Sequence, residues 1–281
     1  WAHGGVIKLS KLESQKGDRV IDDSGNEVLS QRLSTGELVF LASDVPAMSS
    51  RHYRVVPGKC ALKSNCRFAG NTLENGIIKV ELDNAGNVIS LTGVSTGKNF
   101  ADRTKSGGIN TFWYQPAKGA GKATSDRNAV ISHKETGPLL VEAEIISEAD
   151  GCRSVTRRIR LVHGQPWVEF SNTVDKLPVL EKDGVHFGFG FDIPRSTTRI
   201  DIPWNVMRLE DDQWPAANRA WMTHQHWVDI SNDNTGITWC SPDAALIESG
   251  SITANNTAPW EGKGDIWPSK LQQLRMPVDF L

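Results

Sequence analysis

No stretch of this chain approaches the roughly 20 consecutive apolar residues that a helix needs to cross a bilayer. Charge of one sign is missing as well. The 31 Lys and Arg stand against 33 Asp and Glu, so no overall field attracts nucleic acid or an anionic membrane surface, and neither is expected as a partner. A neutral ligand such as a carbohydrate suits that balance better. The four cysteines, Cys60, Cys66, Cys152 and Cys240, lack the paired C-x-x-C spacing of a zinc site, and a structural metal is not expected. Cys60 and Cys66 are close enough in sequence to pair across a loop. That pairing would imply an oxidising compartment, secreted or periplasmic, whereas buried free thiols are the equally ordinary alternative. Windows of eleven or more residues with a 3.6-residue apolar repeat, free of Gly and Pro, are also lacking, which excludes a helical fold. The opening Trp1-Ala2-His3-Gly4-Gly5 is neither a signal peptide nor a natural start, so the chain reads as a fragment. It has no internal repeat and no low-complexity tract.

What is present is a globular composition: 281 residues, 38% apolar, enough for one large core or two unequal ones. Period-two alternation dominates. Val185, Phe187, Phe189, Phe191 and Ile193 share one face of a predicted half-buried strand, with His186, Gly188, Gly190 and Asp192 on the other. Val155, Ile159 and Leu161 mark a second strand, and Val168, Phe170 and Val174 a third; the three read as consecutive strands of one antiparallel sheet. Asp83-Asn84-Ala85-Gly86 predicts a tight turn between Ile77–Leu82 and Asn87–Val94. Asn232-Asp233-Asn234-Thr235 gives the same signal between Trp227–Ser231 and Gly236–Cys240, and Asp22-Asp23-Ser24-Gly25 reads as another hairpin turn. So many strands require facing sheets, because one open sheet would leave an apolar face wet. The fold class is therefore all-β. A boundary near Pro57-Gly58 separates residues 1–57, the incomplete remnant of a small β-sandwich, from a large β domain over residues 58–281. The tail from Asn255 to Leu281, with Pro259, Pro268 and Pro277, lacks periodicity and is expected to be irregular.

Several spots carry chemistry, each with a plainer reading beside it. His224 and His226, one residue apart on a predicted strand, would point to the same side and could share a metal, although a zinc site needs a third ligand. Hydrogen-bonded histidines are the simpler account. Glu210-Asp211-Asp212 could supply the two carboxylates of a glycosidase, but adjacent acids more often make a solvated turn. Trp204, Trp214, Trp221, Trp227 and Trp239 fall within 36 residues. An indole face covers the C–H face of a pyranose, and Asn218 and Arg219 would supply hydroxyl partners; Trp227 and Trp239, on strands, read as core. Pro215 interrupts any ladder and Arg219 is costly to bury, so the loop from Trp214 to Trp221 is expected at an exposed rim. Trp214, Asn218, Arg219, Trp221, His224 and His226 are thus the candidates for a surface facing substrate or another domain. Gly188 and Gly190 would admit close approach by another backbone, a packing role.

Three stretches, ENGIIKVELDNAGNVISLTGVSTGKNF, DGVHFGFGFDIP and HWVDISNDNTGITWCSPDAALIE, resemble the carboxy-terminal region of the α-mannosidases of glycoside hydrolase family 38. The preceding GELVFLASDVPAMSSRHYRV resembles the small β-domain that joins that family's catalytic domain to its large β-sandwich. The resemblance covers most of residues 36 to 254. It implies a galactose-mutarotase-like supersandwich that is truncated at its carboxy-terminal end. For the intact enzyme it implies a retaining hydrolase whose Asp nucleophile and zinc ion sit in an amino-terminal α/β domain. No segment here matches the motifs that hold them. No catalytic residue, metal ligand or cofactor is therefore expected in this chain; zinc belongs to the absent catalytic domain. The partners implied are that domain and a mannose-containing glycan. A stand-alone carbohydrate-binding module is the rival reading. A mutarotase- or lyase-like enzyme is a third; it would need His, Glu or Tyr groups converging in one cleft, and only Tyr53 and Tyr114 are available.

Overall fold

A computed structural model of the chain describes residues 2–116, 122–181, 183–214, 217, 221–250 and 252, and the backbone of 273–278. Every described element is a strand, so the all-β expectation holds. Two three-stranded sheets come first. One runs His3–Leu9, Leu38–Val45, Ser30–Arg32 and the other Glu27–Val28, Arg19–Asp22, Tyr53–Val56. Val20, Leu38, Phe40 and Ala42 lie between them as a small core, with Tyr53 tilted against Phe40 at 4.9 Å.

The larger part of the chain forms a ten-stranded antiparallel sheet backed by a four-stranded one. The large sheet centres on Gly184–Gly190, Ile109–Gln115 and Val88–Gly93. The sheet behind it runs Arg127–Thr136, Leu140–Glu148, Cys152–Val162, Glu169–Lys176. Phe112, Phe187, Ile145, Ile159 and Leu161, all 1% exposed or less, fill the space between, which is where alternating strands must put their apolar faces. A further four-stranded sheet, Asn205–Arg208, Thr197–Ile202, Trp227–Asn232, Thr235–Cys240, packs onto the same core through Ile200, Val228 and Ile230.

The three predicted turns are present. Gly86, at φ 75°, closes the first, and Asp83 Oδ1 accepts the N–H groups of Ala85 and Asn87, both at 2.9 Å. Asn232 Oδ1 does the same for Asn234 and Thr235, and Gly25 N–H donates to Asp22 O at 3.1 Å.

Three expectations need correction. Cys152–Val162 and Glu169–Lys176 are neighbours, but Gly184–Gly190 belongs to the opposite sheet; apolar alternation places a strand against a core without choosing which wall it joins. That strand is also buried on both faces rather than half-buried. A Cβ on Gly190 would strike the carbonyl oxygens of Lys105 and Asp102, and one on Gly188 would meet Thr111 and Ser106, so the glycines let the loop around residues 102–106 close over the sheet. Finally, the tail contributes a strand, Gln273–Val278, inserted between Gly184–Gly190 and Leu246–Ser249.

Candidate functional site

An ordered polar arrangement lies at one end of the sheet that contains Thr197–Ile202 and Trp227–Asn232. These strands are antiparallel, with Ile200 opposite Val228, so Asp201 arrives beside the chain as it enters the second strand. Its Oδ1 accepts the backbone N–H groups of Gln225 at 3.0 Å, His226 at 2.9 Å and Trp227 at 3.0 Å. Oδ2 accepts the His226 N–H and faces His226 Nδ1, both at 2.9 Å. Burial pushes this carboxyl upward, yet the N–H donors of Trp227 and His226, the His226 ring and Gln225 outweigh it and hold it down at about 2. The His226 side chain beyond this anchor is 77% exposed.

His224 behaves differently. It is 4% exposed, its ring stands edge-on to Trp239 at 5.3 Å, and neither ring nitrogen makes a hydrogen bond of standard geometry. Burial pushes its pKa down. The two histidines therefore diverge, one into the core and one into solvent. The reason is local: residues 224–226 connect two strands rather than belonging to one, so period-two geometry does not apply to them. Among the described residues no group of three or more His, Cys, Asp or Glu could hold a metal ion.

The neighbouring acids are not a wholly solvated turn. Glu210 folds inward, accepts the Thr198 N–H at 3.1 Å and has its pKa raised by burial, while Asp211 and Asp212 hold Arg208 at 3.3 and 3.0 Å. Beyond them Trp214 is 86% exposed. Pro215, Asn218 and Arg219 lie outside the described residues. Trp221 is half-buried at the edge strand Trp221–Thr223, with its ring edge-on to His186 at 6.4 Å. His186 and Glu248 approach to 3.6 Å with side chains 4% and 0% exposed. Trp239 is buried as expected and Trp227 half-buried. Trp204 is wholly exposed and sits at φ 64° between Ile202 and Asn205, which pair across the hairpin.

A cleft opens between the sheet that contains His3–Leu9 and the four-stranded sheet that contains Cys152–Val162. Its charges neutralise one another, as in Lys8 with Glu37 and Arg160 with Glu142. The four cysteines are free thiols; Cys60 and Cys66 turn instead toward the carbonyls of Val28 and Leu139, and burial pushes the Cys66 thiol up to about 11. Sequence reasoning missed Asp201, because nothing in an alternating Thr-Arg-Ile-Asp-Ile run reveals the distant N–H groups that will surround its carboxylate.

Residues 73–243 match the family described as "Glycosyl hydrolases family 38 C-terminal domain". The structure of an alpha-mannosidase from Enterococcus faecalis V583 superposes with a TM-score of 0.65 at 13% identity, over 99% of this chain and 38% of its own. That of a protein in the glycosyl hydrolase family 38 from Enterococcus faecalis gives 0.60 at 14% identity, over 99% and 38%. The chain thus spans 38% of the length of either solved structure, and at this identity the likeness speaks for the fold. No curated protein matches.

Proposed function

Since the chain belongs to the glycosyl hydrolases family 38 C-terminal domain family, we propose that it is the non-catalytic, carboxy-terminal part of an α-mannosidase-like glycoside hydrolase. The observation that carries this reading is the match over residues 73–243 to a family defined as a C-terminal domain. The superposition of nearly the whole chain on two fifths of a larger enzyme agrees with it. In this reading the intact enzyme removes terminal α-mannosides by the retaining, zinc-assisted route of its family, with nucleophile and metal in another domain. The residues here do not fit a zinc site, because His224 is packed on Trp239 and no group of three or more His, Cys, Asp or Glu among the described residues could hold a metal ion, so no step is assigned to zinc in this chain. The division at Pro57-Gly58 into a small sandwich and a large supersandwich belongs to the same proposal.

The chain's part is a rim surface. Trp214 and His226, both exposed, flank the segment that carries Asn218, Arg219 and Trp221, and this surface faces the catalytic domain or the glycan. A stand-alone carbohydrate-binding module is the second reading, favoured by the fully exposed Trp204 and Trp214. A mutarotase-like enzyme has less behind it, since the His186–Glu248 pair is closed to solvent. Sequencing the gene on the amino-terminal side of Trp1 tests the proposal. An α/β domain bearing an Asp and His metal set is expected, and an unrelated domain would overturn it.

A further inference from the structure

We propose that Asp201 and His226 form a hydrogen-bond acceptor site for a sugar hydroxyl, with Asp201 the positioning residue and Trp204 the apolar platform beside it. The inference rests on the glycan reading above and goes beyond it in naming the atoms. Asp201 is surrounded by the N–H donors of Gln225, His226 and Trp227, an environment that keeps a carboxylate ionised and therefore acceptor-only. The ring nitrogen that faces it at 2.9 Å must then carry the hydrogen. In a neutral imidazole this fixes the tautomer: Nδ1 donates inward, and Nε2 presents its lone pair outward. The backbone on which the ring stands is held by the same carboxylate, so little conformational freedom is left to lose on binding.

The ligand class follows from what surrounds that lone pair. An anion would meet an acceptor, and a metal ion would lack ligands, since no group of three forms among the described residues. A hydroxyl donor meets neither objection. Extending the ladder from Ile200 opposite Val228 brings Ile202 level with His226, and the hairpin pairing of Ile202 with Asn205 puts Trp204 at the adjoining tip. Asn205–Arg208 and Trp227–Asn232 flank Thr197–Ile202 on opposite sides, so two strand spacings of about 4.8 Å each separate the backbones that carry Trp204 and His226, a gap that the two side chains and a pyranose between them together can span. A bulky residue in the left-handed region is unfavourable, yet Trp204 stands there at φ 64° with its ring in solvent. A pyranose, with a C–H face and hydroxyls at its edge, matches a flat indole beside one fixed acceptor.

The test is ¹⁵N NMR of the histidine and tryptophan rings in the full chain, titrated with methyl α-D-mannopyranoside. The expected result is an Nδ1–H tautomer at His226, and ring signals of His226 and Trp204 that move together on titration. Affinity should fall about tenfold or more in Asp201→Asn, His226→Ala and Trp204→Ala, and the last should keep the wild-type melting temperature. In Asp201→Asn the tautomer should also shift toward Nε2–H, which reports the loss of the carboxylate acceptor at Nδ1 and, together with the fall in affinity, ties binding to the Nε2 lone pair. An Nε2–H tautomer in the wild type overturns the proposal, as does a titration that leaves both rings unmoved, or unchanged affinity in His226→Ala. Any of these results leaves the family-based reading standing, because the gene sequence decides that separately.

Discussion

His224 places an imidazole in the core against Trp239 with its pKa pushed down by burial. Below the ordinary value of 6.5 the unfolded chain takes up a proton that the folded chain refuses. Stability therefore falls as pH drops from 6.5 toward the depressed folded value. His224→Leu should flatten the dependence of melting temperature on pH in that window; an unchanged slope would show that His224 is not the group responsible. Asp201 acts at lower pH. Its folded value of about 2 lies under the ordinary 3.8, so its contribution is complete above 3.8 and is lost as pH falls through about 2. At this scale the sequence was only partly legible. The chemical types at His224 and His226 were visible, but their divergence depends on a carboxylate more than twenty residues away, and no local pattern encodes that contact.

The two walls of the large sandwich are joined by the buried Arg157 guanidinium. Arg157, 0% exposed, reaches Asp126 at 2.8 Å, Asn87 Oδ1 at 2.8 Å and the carbonyls of Ala85 and Asn110. Desolvating both charges is costly, and the surrounding acceptors offset it, so removing one partner strands the other. Arg157→Ala should cost about 3–5 kcal/mol in urea unfolding, and a loss under about 1 kcal/mol would mean that water replaces the guanidinium. Gly190→Ala should also destabilise, because its Cβ would press on the Asp102 carbonyl at 2.7 Å and backbone cannot rotate away; overpacking of this kind costs about 1–3 kcal/mol. Alternation located the strands and Asp/Asn/Gly chemistry located the turns. The sheet to which Gly184–Gly190 belongs was not legible, since pairing partners are set by the whole core. Gln273–Val278 was missed although Leu274, Met276 and Val278 alternate with Gln273, Arg275 and Pro277, because Pro277 argues against a ladder position and the short run follows a long polar, Pro-containing stretch.

At the scale of the molecule the small sheets dock on the large sandwich through Leu29, Val39, Leu139, Leu140 and Val162. Gln31 pins the contact, its Oε1 accepting the buried N–H groups of Leu139 at 3.1 Å and Leu140 at 2.9 Å. Gln31→Ala would orphan both donors and should lower stability by about 1–3 kcal/mol; an unchanged urea midpoint would show that the two parts are not coupled there. The all-β class was legible from composition and alternation, and the family from a few segments read in order. How the parts carry function was not, because it depends on the groups that meet this chain's surface, which its own pattern does not record. Under the proposed function, bond cleavage belongs to another domain. The most direct test is an assay of the purified 281-residue chain on an aryl α-mannoside, with and without added zinc. No turnover above the uncatalysed rate is predicted under either condition. Hydrolysis that survives repurification and persists in His224→Ala would contradict it, and the chemistry would then have to be sought within these strands.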